Sequence, residues 1–114
     1  MARINWTEIT DEAQWHAALH ASNHQTVVVF KHSTRCPVSA MALRMLERDW
    51  SLDEAQVKPF FLDLIAFRQV SNLIAHQTRV AHESPQLIVL RNEQAIYSAS
   101  HQDISAQHLK SIVE

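Results

Sequence analysis

Thr26-Val27-Val28-Val29-Phe30-Lys31-His32-Ser33-Thr34-Arg35-Cys36-Pro37-Val38-Ser39 is the segment on which the architecture turns. Thr26–Phe30 is a β-branched apolar run without polar alternation, the pattern of a central strand covered on both faces. His32–Cys36 then reads as a loop. Pro37 suits the first position of a helix, where an N–H would be orphaned anyway, and Val38, Met41, Ala42, Met45 and Leu46 follow at helical spacing to about Trp50. Cys36 therefore falls at the N-cap end of a helix, directly after a buried strand.

Outward from this junction the chain alternates. Thr10 precedes Asp11, Glu12 and Ala13, acidic residues suited to a helix N-terminal turn, and Trp15, Ala18 and Leu19 predict a first helix ending near Ser22 and Asn23. Val57–Leu64 is a second apolar run, in which Pro59 lacks a ladder donor and favours an edge or a strand start. Val70, Leu73 and Ile74 mark one face of a third helix. Leu87–Leu90 reads as a strand, Arg91–Gln94 as a turn, and Ala95–Ser98 as the returning hairpin partner. Ile104, Leu109, Ile112 and Val113 predict a closing helix, and a short extra strand at Arg3–Trp6 carries the faintest signal. This order predicts an α/β fold, one mixed sheet with helices packed on both faces, in a single domain over residues 1–114.

Composition narrows the function. The 114 residues are 46% hydrophobic and 19% charged, a globular balance. The formal net charge of -2 offers no basic stripe for a nucleic acid. Glycine is absent, which excludes the Gly-rich phosphate loops of nucleotide-binding folds. Met1–Asp11 holds only Arg3 as a basic residue and no apolar run, and no stretch of about 18 apolar residues occurs, so a soluble cytoplasmic protein without membrane partners is expected.

The lone thiol carries the chemistry. A helix N-terminus presents unpaired N–H groups and the positive end of the helix dipole, which favour thiolate over thiol and predict a nucleophile at Cys36. Lys31, His32 and Arg35 would add cationic support wherever their side chains turn toward the sulfur. Ser39 stands where a Cys-x-x-Cys protein keeps its resolving thiol. Its hydroxyl cannot resolve a mixed disulfide but can donate a hydrogen bond to a thiolate, so the second thiol must come from outside. The contrasting assignment is a buried structural cysteine with an ordinary first-turn serine.

Three blocks then coincide: Lys31-His32-Ser33-Thr34-Arg35-Cys36-Pro37-Val38-Ser39, His82-Glu83-Ser84-Pro85-Gln86, and Ala99-Ser100-His101 with Ile104-Ser105. In this order the chain resembles the monothiol bacilliredoxins, thioredoxin-fold proteins of the bacillithiol system active in the stress response. The resemblance implies that Cys36 attacks a protein–bacillithiol mixed disulfide, frees the client protein and keeps bacillithiol. Free bacillithiol or a flavin-dependent reductase would then clear it, with bacillithiol a co-substrate and no bound cofactor. It further implies that Thr34, Arg35 and Pro37, with Lys31, His32 and Ser39, support the thiol. Ser84, Pro85, His82 and His101 would meet the substrate, with Pro85 in the cis form. The departures are Val38 for isoleucine, Gln102 for an aromatic residue, and no glycine before Val80, so that turn must be built from another residue.

Two further functions compete with this one: a non-catalytic thioredoxin-fold module or redox sensor, and a glutaredoxin-like protein that uses another small thiol or holds an iron–sulfur cluster. Eight histidines also raise a metal site, with His32, His82 and His101 converging on Cys36. No ligand spacing supports it, so no metal is expected, and His16, His20 and His24 are assigned to a solvated helix stripe.

Overall fold

A computed structural model describes residues 4–113. In chain order the elements are β1 (Thr7–Glu8), α1 (Glu12–Ala21), β2 (Thr26–His32), α2 (Pro37–Asp49), β3 (Val57–Asp63), α3 (Arg68–Thr78), β4 (Gln86–Arg91), β5 (Gln94–Ser100), a 3₁₀ turn (His101–Asp103) and α4 (Ala106–Val113). The expected helix and strand order holds, the faintly signalled extra strand is present as β1, and the 3₁₀ turn is added. The extra strand lies at Thr7–Glu8, where these residues pair with Phe60 and Phe61, and Ile4–Trp6 stand outside it. Arg3 itself lies outside the described residues.

The five strands are ordered β1-β3-β2-β4-β5, with β3 parallel to β1 and β2, and β4 antiparallel to β2 and β5. All seven residues of β2 are buried. Alternation sends Val28 and Phe30 into one core with Ala42 and Leu46 of α2 and Leu109 of α4. Val27 and Val29 enter the other, with Trp15 and Ala18 of α1 and Ile74 of α3.

Lys31 and His32, expected in or at the edge of a loop, instead close β2. Their backbones pair with Leu62 and Asp63 of β3, and Lys31 also with Gln86 of β4, so the ladder carries the strand past its apolar run. Pro59 sits within a strand that has neighbours on both sides. Phe61 O accepts from Ile9 N on the β1 side, so Pro59, two residues earlier, turns its donorless nitrogen to that same side, ahead of the Phe60–Phe61 pairing.

A chain without glycine must fill left-handed positions with other residues. Arg79 (φ 60°) closes α3, Asn92 (φ 54°) and Glu93 (φ 62°) form the hairpin turn, and His101 (φ 55°) starts the 3₁₀ turn. The Asn92–Glu93 turn is tied down by Ser22, whose carbonyl accepts from Asn92 N and whose hydroxyl accepts from Glu93 N, each at 2.8 Å. Arg79 is exposed, and left-handed backbone costs a residue with a Cβ about 1 kcal/mol. Arg79→Gly is therefore expected to raise stability by about 0.5–1 kcal/mol, read as a higher urea midpoint with an unchanged slope.

Candidate functional site

Cys36 is the N-cap of α2, with extended backbone (φ -109°, ψ 116°) and Pro37 as the first helical residue. Its N–H closes a turn on Ser33 O at 3.2 Å, its carbonyl accepts from Ala40 N at 3.0 Å, and its side chain makes no capping bond. The thiol is half-buried, between exposed Arg35 and exposed Pro37, and Thr34 is exposed on the same turn.

Ser39, one helical turn on, is fully buried, and its hydroxyl is engaged away from the sulfur. Ser39 Oγ lies 2.7 Å from His32 Nδ1 and accepts from Ser33 N at 3.0 Å. In place of the hydrogen bond that Ser39 could donate to the sulfur, the hydroxyl makes a clamp that ties the end of β2 and the Cys36 turn to the first turn of α2. The His32 ring packs on Phe30 and Phe61, with centroids 6.1 and 5.5 Å away. Burial holds its imidazole below the ordinary range, and Asp63 opposes that shift.

Lys31, next in the strand, points to the opposite face and does not join His32 on the α2 side. Its fully buried side chain donates from Nζ to Ser71 O of α3 at 3.1 Å. Burial lowers its ammonium from 10.5 to about 8. His82 belongs to this side, with Nδ1 3.4 Å from Ser71 Oγ. Partial desolvation lowers its titration, the Lys31 and Arg68 cations lower it further, and Glu83 works in the opposite direction. The three histidines do not converge: His32 faces α2, His82 faces α3, and His101 is exposed at the 3₁₀ turn. Among the described residues no three His, Cys, Asp or Glu side chains form a metal-binding group.

The Ser84–Pro85 bond is cis. Pro85 O accepts from His101 N at 3.2 Å, which holds the second and third blocks together. Ser84 Oγ is buried without a partner among the described residues.

Beside Pro37 an apolar groove of about 380 Å³ is walled by Val38, Met41, Met45, His101, Gln102 and Ile104. The apolar residues of α2 thus form two stripes. Ala42 and Leu46 are buried, whereas Val38, Met41 and Met45 are 42%, 49% and 44% exposed along the groove. A larger cleft of about 690 Å³ runs between Thr10–Glu12 and Ala66–Val70, but it contains no thiol and no residue of the three blocks.

The description "monothiol bacilliredoxin BrxC" belongs to a family that matches residues 7–109. The chain belongs to the monothiol bacilliredoxin family. It is similar, at 30% identity and a TM-score of 0.79, to a solved protein described as a candidate oxidoreductase with a thioredoxin fold, covering 94% of this chain and 92% of that one. The fold is shared at 16% identity with the thioredoxin of Malassezia sympodialis (TM-score 0.74, 99% of this chain and 91% of that one). It is also shared at 16% identity with the thioredoxin of Trypanosoma brucei brucei (TM-score 0.73, 96% and 91%). This bacilliredoxin family member is thus a thiol oxidoreductase of thioredoxin fold. No described helix is long and apolar enough to cross a membrane.

Met41, Met45 and Ile104 were not singled out as site residues from sequence. The usable signal was the apolar arc of α2, which is wider than one buried stripe requires. Ser33 was equally unmarked, since its part is played by a backbone N–H.

Lys31 generates a stability prediction. Its titration falls from 10.5 in the ordinary state to about 8 in the fold, so its destabilising effect is complete below the folded value. That effect shrinks as pH rises between the two values and vanishes above the higher one. Lys31→Met is expected to stabilise the protein at neutral pH by about 2 kcal/mol. Urea titrations should show the gain declining through the alkaline range.

Proposed function

We propose that the protein removes bacillithiol from client proteins by monothiol exchange through Cys36. The observation that carries this reading is the placement of the chain's single cysteine at the N-cap of α2, next to Pro37, which lines an exposed apolar groove, in a member of the monothiol bacilliredoxin family. As the N-cap residue, Cys36 stands at the positive end of the α2 dipole, which suits an attacking anion. The groove offers apolar surface to a client, and no hydrogen bond joins the Ser84 backbone to another described backbone group, so both its N–H and C=O suit an extended segment. Exposed His101, Thr34 and Arg35 flank the approach.

The Cys36 thiolate attacks the bacillithiol sulfur of the mixed disulfide. The client–bacillithiol S–S bond breaks, a Cys36–bacillithiol S–S bond forms, and the client leaves as a thiolate that takes a proton from solvent. A second bacillithiol thiolate attacks the bound sulfur, leaves as the symmetric disulfide and restores Cys36. A flavin-dependent reductase would reduce that disulfide. Ser39 cannot perform the second attack, which makes the external thiol obligatory.

Intact-mass spectrometry tests the transfer. With a model protein carrying bacillithiol, the wild type should gain one bacillithiol while the model protein loses it, and Cys36→Ser should do neither. Transfer from a glutathionylated protein alone would reassign the small thiol, and transfer from neither would leave a non-catalytic module. Val38→Ser and Met41→Gln test the groove, where loss of an apolar contact is expected to raise KM for a protein substrate about tenfold. Cys36 alkylation by iodoacetamide, which needs no groove, should stay within about twofold of wild type.

A further inference from the structure

We infer that Met41 and Met45 form an oxidant-sensitive site, at which transfer of oxygen from a peroxide to sulfur turns the groove beside Pro37 polar and weakens its hold on a client protein. The inference rests on the groove being where a client docks. The chain has three methionines, and the two beyond Met1 both line this groove, one helical turn apart on α2. Both are exposed, so an oxidant reaches either sulfur without any opening of the fold. No buried residue among those described is a methionine, so oxidation leaves the packing of both cores intact. Its effect falls on the groove alone. Val38 and Ile104, the other aliphatic walls, carry no sulfur and stay apolar.

The chemistry is a two-electron oxygen transfer. The methionine Sδ attacks one oxygen of hydrogen peroxide, the O–O bond breaks and an S–O bond forms. The departing hydroxide takes the proton of the transferred oxygen and leaves as water, so the thioether is oxidised to a sulfoxide and the peroxide is reduced. A flexible apolar side chain thereby becomes a polar one carrying a strong acceptor. The surroundings favour that product at Met41. Arg44 Nη2 lies 3.8 Å from Met41 Sδ, a weak acceptor as a thioether, and the same guanidinium is placed to donate to an oxygen bound to that sulfur. An apolar client segment then has to strip water from a polar surface, which costs affinity.

The test keeps the thiol out of the oxidation step. Cys36→Ser protein treated with hydrogen peroxide is read by mass-spectrometric peptide mapping and by binding of anilinonaphthalene sulfonate, a dye of apolar surfaces. One added oxygen is expected on Met41 and on Met45, with the dye Kd raised about tenfold and the urea midpoint unchanged. In parallel, wild-type protein is oxidised with Cys36 held in a mixed disulfide with mercaptoethanol. Dithiothreitol then restores the thiol and leaves the sulfoxides in place. KM for a bacillithiol-carrying model protein should rise about tenfold, while Cys36 alkylation by iodoacetamide stays within about twofold of the untreated protein. A variant with Met41→Leu and Met45→Leu keeps an apolar groove and Met1 but no groove sulfur. In either background, peroxide should change neither its dye Kd nor its KM, whatever their starting values. Methionines that resist peroxide sufficient to oxidise free methionine overturn the inference. So do an unchanged dye affinity after oxidation, an untreated protein that binds no dye, and an equal loss in the leucine variant. Absence of bacillithiol transfer before oxidation is a failure of the proposed exchange and leaves the dye readings to decide this inference.

Discussion

β2 is buried on both faces along its whole length, and its last two residues are polar. A buried polar group without a partner costs about 1–3 kcal/mol, more when it is charged, so Lys31 and His32 each require a companion from whichever layer they face. Alternation assigns Lys31 to α3, where the Ser71 carbonyl receives it, and His32 to α2, where the Ser39 hydroxyl meets it. These two bonds anchor a helix on each side of the sheet to the end of the strand that leads into Cys36. The loop carrying the thiol is short, and both of its ends are held by this arrangement.

The consequence is a site divided by the sheet. On the α2 side lie the thiol, the His32–Ser39–Ser33 clamp and the apolar groove, so groove and thiol share one helix. On the α3 side, Lys31, Ser71 and His82 pack a cationic group beneath the segment leading to Ser84–Pro85. The two halves meet where His101 N bonds Pro85 O. His101 holds left-handed backbone there, a conformation that disfavours any residue with a Cβ and that recurs near functional sites.

Much of this was legible from particular residues. Thr26–Phe30 announced a two-sided strand because its neighbours are apolar on both faces, and Pro37 placed Cys36 at a helix start through a purely local backbone property. The Asn92–Glu93 turn was legible for the same reason. The limit of β2 was not, since Lys31 and His32 look like loop residues until β3 and β4 supply their ladder partners. The partner of Ser39 was misjudged on similar grounds. Its separation from Cys36 is fixed by the helix, but His32 comes within 2.7 Å only because β2 and α2 pack together.

The amino-acid sequence by itself determined the order of elements, the helix N-cap position of the single thiol and the absence of a second one, because these depend on local periodicity, on proline and on counting. Its three blocks also carried the family resemblance, which the family match over residues 7–109 upholds. Tertiary structure alone decided which side of the sheet each polar residue serves, that Val38, Met41 and Met45 line a groove while Leu46 fills the core, and that the Ser39 hydroxyl turns to His32. These are contacts between segments far apart along the chain. Their geometry is set by how the layers pack, which no local pattern of residues contains.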